Sequence, residues 1–318
     1  MNCSDRVSRE QSGNGGSRQR VDWNDRLFRA LTGLACWIIV LMVLLIVGKI
    51  AYHGKDRLSW DFLTMAPEEG MTAGGIFPAI YGTALLVILM TIAVVPLGVM
   101  VAIYLNEYSS HTSAIYKVTR LAVTNLAGVP SIVFGLFGLG FFVQGIGGSI
   151  DRVFYGGQLV FGQPAIIWAA LTLAVLTLPV VILTTEDTLR AIPNELREAS
   201  MALGATKFQT IMRTVLPQAS AGILTGTILA VSRGAGEVAP ILFTGAAYFL
   251  PELPHKLHSQ FMELGYHIYV LSTQSPDVEA TEPILYSTVF VLLALTFFLN
   301  LVAIIIRSRM RTKLRRAA

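Results

Sequence analysis

The chain has 318 residues, of which 53% are hydrophobic and only 14% charged, with a formal net charge of +4. That leaves too little polar surface to cover a water-soluble globule of this length, so a soluble domain is excluded and the chain reads as an integral membrane protein. The basic excess gathers toward the two ends, where membrane topology and anionic lipid headgroups account for it, and no nucleic-acid role is assigned.

A tail is expected over residues 1–29, opening with a stretch rich in Ser, Gly, Arg and Gln that reads as disordered. Cys3 lies in that tail and Cys36 in the first apolar stretch, so neither suits a structural disulfide. That stretch is too long for a signal-peptide core and no small-residue cleavage site follows it, so it is expected to be retained. Crossing a bilayer takes about 20 apolar residues. Six such spans are expected, at 30–48, 76–105, 121–143, 165–185, 219–249 and 284–306. The fold class is therefore an all-α polytopic membrane protein, with a six-span domain over 30–306 and a basic tail over 307–318. Pro96 and Pro240 are expected bend points in the long second and fifth spans. No internal repeat is visible.

Orientation follows from the basic residues. With a cytoplasmic N-terminus, the inner side holds Arg6, Arg9, Arg18, Arg20, Arg26, Arg29, Lys117, Arg120, Arg190, Arg197, Lys207, Arg213 and the C-terminal cluster from Arg307 to Arg316. Only Lys49, Lys55, Arg57, Arg152 and Lys256 remain outside, which places both termini inside.

The inner segment 186–217 is longer than a helix connection needs. Pro193 suits a first helical position, Glu195 and Glu198 suit the early turns, and Gly204 suits the residue just past the end. Leu196, Ala199, Ser200 and Leu203 share one face. Thr206 and Gln209 form a capping box for a second helix leading to Leu216 and Pro217. The small, apolar stripe suits a partner's groove, with Arg197, Glu198 and Arg213 at its rim. An amphipathic helix lying on the membrane surface has the same periodicity.

The residue identities separate these readings. The run Glu198-Ala199-Ser200, Gly204, Leu216-Pro217 resembles the EAA loop of ABC importer permeases, with Ser200 at the second Ala and Thr214 at the usual Ile. The resemblance implies an ABC importer permease fold and a coupling helix seated on a separate ATP-binding subunit. The chain itself shows no Gly-rich loop ending in Gly-Lys-Ser/Thr, so ATP hydrolysis is expected on another polypeptide and no cofactor is expected here.

Arg233-Gly234-Ala235-Gly236-Glu237 places a guanidinium near the bilayer midplane, with Glu237 expected one turn further along the same helix face. A central Arg must face a protein interior or a water-filled path. Either the two charges neutralise each other, or Arg233 offers forked donors to an oxyanion in transit while Glu237 limits trapping. Gly234 and Gly236 clear the path and allow close helix approach, and Gly135, Gly138 and Gly140 are expected to do the latter. Pro130 would break backbone bonding inside the third span, with Ser131 helping to satisfy the freed groups.

The stretches Arg233 to Gly245 and Gly128 to Leu139 are similar to the A-type permease subunits of bacterial phosphate-specific transport systems, across roughly residues 75–310. Val238 departs from that pattern, which usually has Thr. The resemblance implies a bacterial inner-membrane subunit that moves inorganic phosphate by alternating access, beside a C-type permease subunit, two ATPase subunits and an extracytoplasmic phosphate-binding protein. Covalent chemistry is not expected. The alternatives are a permease for another oxyanion such as molybdate or tungstate, a stand-alone anion transporter or channel, and a non-transporting scaffold. Glu252, His255 and His258 read as loop surface rather than a metal site, and the outer segment 250–283 is a candidate contact for a substrate-delivery protein.

Overall fold

The computed structural model describes residues 23–68, 73–110, 112–275 and 278–317. The expected tail up to residue 22, with Cys3, Arg6, Arg9, Arg18 and Arg20, lies outside the described residues. Among the described residues, six helices are long and apolar enough to cross a membrane.

The first is α1, Trp23–Gly54, whose stretch between Arg29 and Lys49 carries no charge and is apolar on every face, as suits a lipid-embedded helix. Its residues to Lys49 form a unit of their own, separate from the compact unit that starts at Ile50. In the second unit come α2 (Trp60–Thr64), capped by the Ser59 hydroxyl accepting from the Phe62 N–H, and a two-residue antiparallel pairing of β1 (Pro67–Glu68) with β2 (Ala73–Gly74).

The second span is α3, Phe77–Ile103, which continues into a π-helical turn at Tyr104–Tyr108. The third expected span, 121–143, is interrupted. Helix α4 (Ala114–Leu126) stops, and α5 (Ser131–Phe137) restarts with Pro130 at its N-cap. It then runs through a π-helical stretch, Gly138–Gly147, into α6 (Gly148–Phe154). Pro130 thus begins the second half of the span rather than sitting inside one helix: it lacks an N–H and disfavours helix for the residue before it.

The fourth span, α7 (Ile166–Arg190), is the centre of the bundle and packs most extensively on α3 and on α10 (Leu216–Gly234). Small residues permit the approach, as they do between helices in lipid. Gly222 and Gly226 of α10 lie against Thr188 and Thr184 of α7, and Gly98 of α3 against Val181. Gly138 packs against Thr172 and Thr244, but Gly140 faces open space and does no such packing.

The fifth expected span, 219–249, is shorter as a helix than its apolarity suggests. It ends at Gly234, and residues through Gly245 form successive turns that include Pro240, so Pro240 bends no helix. Between this point and α12 (Val278–Ala317) lies α11 (Leu264–Thr273), which packs on α12 and α3. Helix α12 carries the sixth span and extends through the stretch expected as a basic tail.

Candidate functional site

Two places collect the residues singled out by the sequence. The first is the loop after α7. Helix α8 runs Asn194–Ala202, with Pro193 as its N-cap rather than its first helical residue. Leu203 closes it, and Gly204 follows at φ +86°, the left-handed conformation that a helix-ending glycine supplies. An added Cβ at Gly204 would meet nothing within 4 Å, so backbone conformation alone selects glycine here.

The capping box forms as expected. The Thr206 hydroxyl accepts from the Gln209 N–H at 3.3 Å and the Gln209 side chain accepts from the Thr206 N–H at 2.9 Å. The short α9 (Lys207–Thr210) then passes through a π-helical turn, Ile211–Val215, directly into α10. The wider turn accommodates Pro217, which cannot donate a hydrogen bond to the turn behind it. Leu216 and Pro217 are therefore the first residues of the membrane helix and join the loop to it without a break.

Helix α8 buries no residue. Leu196, Glu198 and Ala199 are exposed, and so are Leu203 (90%) and Phe208 (64%), which together present an open apolar face with a carboxylate beside it. Two side chains turn the other way. Ser200 Oγ lies 3.0 Å from the buried Thr210 Oγ1, joining α8 to α9. Arg197 is a correction: it was expected at the exposed rim, but its side chain is only 13% exposed and pairs with Glu107 at 2.8 Å. Arg213 remains exposed. Nearby, the buried Glu186 accepts from Arg120 at 2.6 Å and from Arg190 at 2.5 Å, and Arg190 also donates to the Tyr116 hydroxyl, tying α4 to the end of α7.

The second place is Arg233, in the last turn of α10. Its Nε lies 3.4 Å from Glu237 Oε1, with the side chains 41% and 23% exposed. The expected proximity is present, but Glu237 stands on a turn after the helix end and not on a continuing helix face. Tight turns carry the chain across, with the Gly236 N–H donating to the Arg233 carbonyl and the Glu237 N–H to that of Gly234. Gly234 lies against Met90 and near Thr177, in the middle of α7. Gly236 has open space around it, so close packing is not its reason.

The interruption of the third span falls at the same depth. Arg120 meets Glu186 toward one end of α7 and Gly138 meets Thr172 toward the other. The gap at 127–130 lies between those contacts. Gly135 packs against the backbone of Ala239 and Pro240, bringing the two blocks singled out by the sequence together. One helix therefore ends and another begins near the centre of the bundle, where discontinuous helices in transporters expose backbone groups to a cavity.

A residue that sequence reasoning missed is Glu263. It caps α11, accepting from the Gly265 and Tyr266 N–H groups at 2.8 and 2.7 Å, and Thr83 of α3 lies 3.5 Å away. It is buried (3% exposed) outside the spanning segments, and that burial pushes its carboxyl up to about 7, against the lowering effect of the two backbone donors and Thr83. The only sequence signal was its apolar surroundings, Phe261-Met262 and Leu264. Val238, where the phosphate-family resemblance departs, packs toward Gly265 beside this carboxylate. On the same end of the bundle, Glu252, His255, Lys256 and His258 come together with Gln163 and Gln260 around an open cavity of about 470 Å³.

Against known families, residues 94–315 match the model of binding-protein-dependent transport system inner membrane components. A probable ABC transporter permease protein, YqgI, from Bacillus subtilis (strain 168) is 32% identical over 80% of this chain and 86% of its own length. The phosphate transport system permease protein PstA of Mycobacterium leprae (strain TN) is 37% identical over 71% of this chain and 69% of its own. PstA 1 of Mycobacterium tuberculosis (strain CDC 1551 / Oshkosh) is 43% identical over 64% of this chain and 62% of its own. Among solved structures, a bacterial alginate ABC transporter in complex with an alginate pentasaccharide-bound periplasmic protein superposes with a TM-score of 0.61 at 15% identity, covering 92% of this chain and 96% of the other. The MetNI methionine ABC transporter in an inward-facing form gives 0.51 at 17% identity, covering 74% and 94%. At such identities the likeness speaks to the fold alone.

Proposed function

The chain belongs to the family of binding-protein-dependent transport system inner membrane components, and on that premise we propose that it is the permease subunit of an ATP-driven importer for inorganic phosphate. It is a multi-pass inner-membrane protein that works with ATPase subunits and a binding protein, and it is not itself an enzyme. The observation that carries the cargo is the similarity to phosphate transport permeases, at 37% and 43% identity. The forked guanidinium of Arg233 near the bundle centre supports it chemically.

In this reading both termini are cytoplasmic, the exposed face of α8 with Glu198, Ala199 and Gly204 seats on the ATPase, and a C-type permease subunit completes the path. A phosphate-binding protein delivers cargo at the opposite end, near the cavity around His255 and His258. ATPase closure displaces α8, and the continuous rod from Lys207 through Leu216 and Pro217 to Gly234 carries that displacement to Arg233. Arg233 then holds the anion, while Glu237 keeps it from being trapped.

Reconstitution in proteoliposomes with candidate ATPase, C-type and binding-protein partners tests this by ATP-dependent phosphate uptake, wild type beside Arg233→Gln. Uptake that Arg233→Gln abolishes is expected. Equal uptake would remove Arg233 from the path, and no phosphate uptake with any partner set would overturn the phosphate reading.

A further inference from the structure

We infer that the Arg197–Glu107 ion pair is the strut through which displacement of α8 reaches the second span; the inference rests on α8 being the ATPase-docking helix. Helix α8 buries none of its residues, and its backbone neighbours are α9 and the π-helical turn at Ile211–Val215. Those neighbours lead to α10. The backbone at 191–193 joins α8 directly to α7, and a separate route to the second span runs through the inward side chain of Arg197.

Arg197 makes a fork onto Glu107, with Nη2 donating to Oε1 at 2.8 Å and Nε lying 3.2 and 3.3 Å from the two carboxylate oxygens. The same guanidinium donates to the carbonyls of Ile192 at 2.7 Å and Leu189 at 2.9 Å, at the C-terminal end of α7. Cationic donors suit that end of a helix, where carbonyls are left without partners. Glu107 belongs to the π-helical turn that ends the second span, and its side chain is 6% exposed. A planar, bidentate and desolvated pair fixes direction as well as distance, which a single flexible contact does not. The Lys207 ammonium, 5.0 Å above the Tyr108 ring, adds a second tie between the loop and that turn. Arg197 and Glu107 are positioning residues: neither is assigned to touch nucleotide or cargo.

The test uses the complete reconstituted complex with Glu107→Gln, which keeps the shape and loses the charge, and the exchange Glu107→Arg with Arg197→Glu. ATP hydrolysis, phosphate uptake and retention of ATPase subunits are measured together. Glu107→Gln is expected to retain the ATPase and its hydrolysis while ATP consumed per phosphate rises about tenfold, with partial recovery in the exchange variant. Spin labels at Met100 and Phe297 read ATP-driven motion of the second span whatever the cargo, and that motion is expected to shrink in Glu107→Gln. Unchanged label motion, or a parallel loss of hydrolysis and uptake that the exchange variant leaves unrepaired, overturns the strut. A wild type with label motion but no phosphate uptake overturns the cargo reading and leaves the strut tested by the labels.

Discussion

Ser200 Oγ lies 3.0 Å from Thr210 Oγ1, so the residue that departs from Ala in the Glu-Ala-Ala pattern is the one that joins the two short helices of the loop. A methyl group there would still fit the spacing but would leave the buried Thr210 hydroxyl without this partner. Ser200→Ala is therefore expected to loosen the joint between α8 and α9 by about 1 kcal/mol, roughly a fivefold rise in local opening. Amide hydrogen exchange over residues 200–210 reads this directly, and unchanged protection there would show that the hydroxyl pair contributes nothing.

Gly204→Ala meets no neighbour but must hold φ near +86°. The expected cost is about 1 kcal/mol, with Gly204→Asn milder because Asn tolerates the left-handed region. Both variants are expected to bind the ATPase subunit more weakly in a pull-down, in that order of severity. Wild-type retention by Gly204→Ala would mean that the turn does not set the docking angle.

Arg233 and Glu237 are both partly exposed, so their pairing contributes less than about 1 kcal/mol to stability. Glu237→Gln is expected to leave the unfolding temperature almost unchanged. If Glu237 weakens anion trapping, its loss lowers both the turnover of phosphate uptake and the half-saturating phosphate concentration. A raised half-saturating concentration at unchanged turnover would contradict the role.

Glu263 predicts a pH dependence of known sign. Its carboxyl is raised from 4.5 to about 7 by burial in the folded chain, so the folded state binds the proton more tightly than the unfolded one. The protonated group contributes stability that is complete below about 4.5, declines as pH rises, and is gone above about 7. The size is of order 3 kcal/mol. Thermal unfolding across this window, for wild type and Glu263→Gln, checks it: the variant is expected to lose this part of the pH slope, and identical slopes would assign it to other groups.

Much of the membrane architecture was legible because hydropathy and local spacing are read one segment at a time. The capping box at Thr206 and Gln209 and the glycine stop at Gly204 formed where expected, since each depends on residues within a turn of one another. The fifth span was overextended for the same reason in reverse. Residues 235–250 are apolar enough to continue a helix, and hydropathy does not register that Gly234-Ala235-Gly236 and Pro240 turn the backbone inside the bundle. The third span was drawn as one piece across Gly128-Val129-Pro130, where the chain restarts a helix beside the middle of α7.

The chain's composition and short-range order alone determined its class, the six apolar spans found among the described residues, and the loop between the fourth and fifth of them. Those features follow from the cost of exposing polar groups to lipid and from contacts within a few residues. Arg233, expected well inside the fifth span, stands instead in the last turn of α10. Which charges face a partner and which face inward was decided only by the tertiary structure. Arg197 and Glu107 are 90 positions apart, and Thr83 and Glu263 are 180 apart. Periodicity assigns a residue to a face of its own helix, whereas burial and charge pairing depend on what the rest of the fold brings to that face.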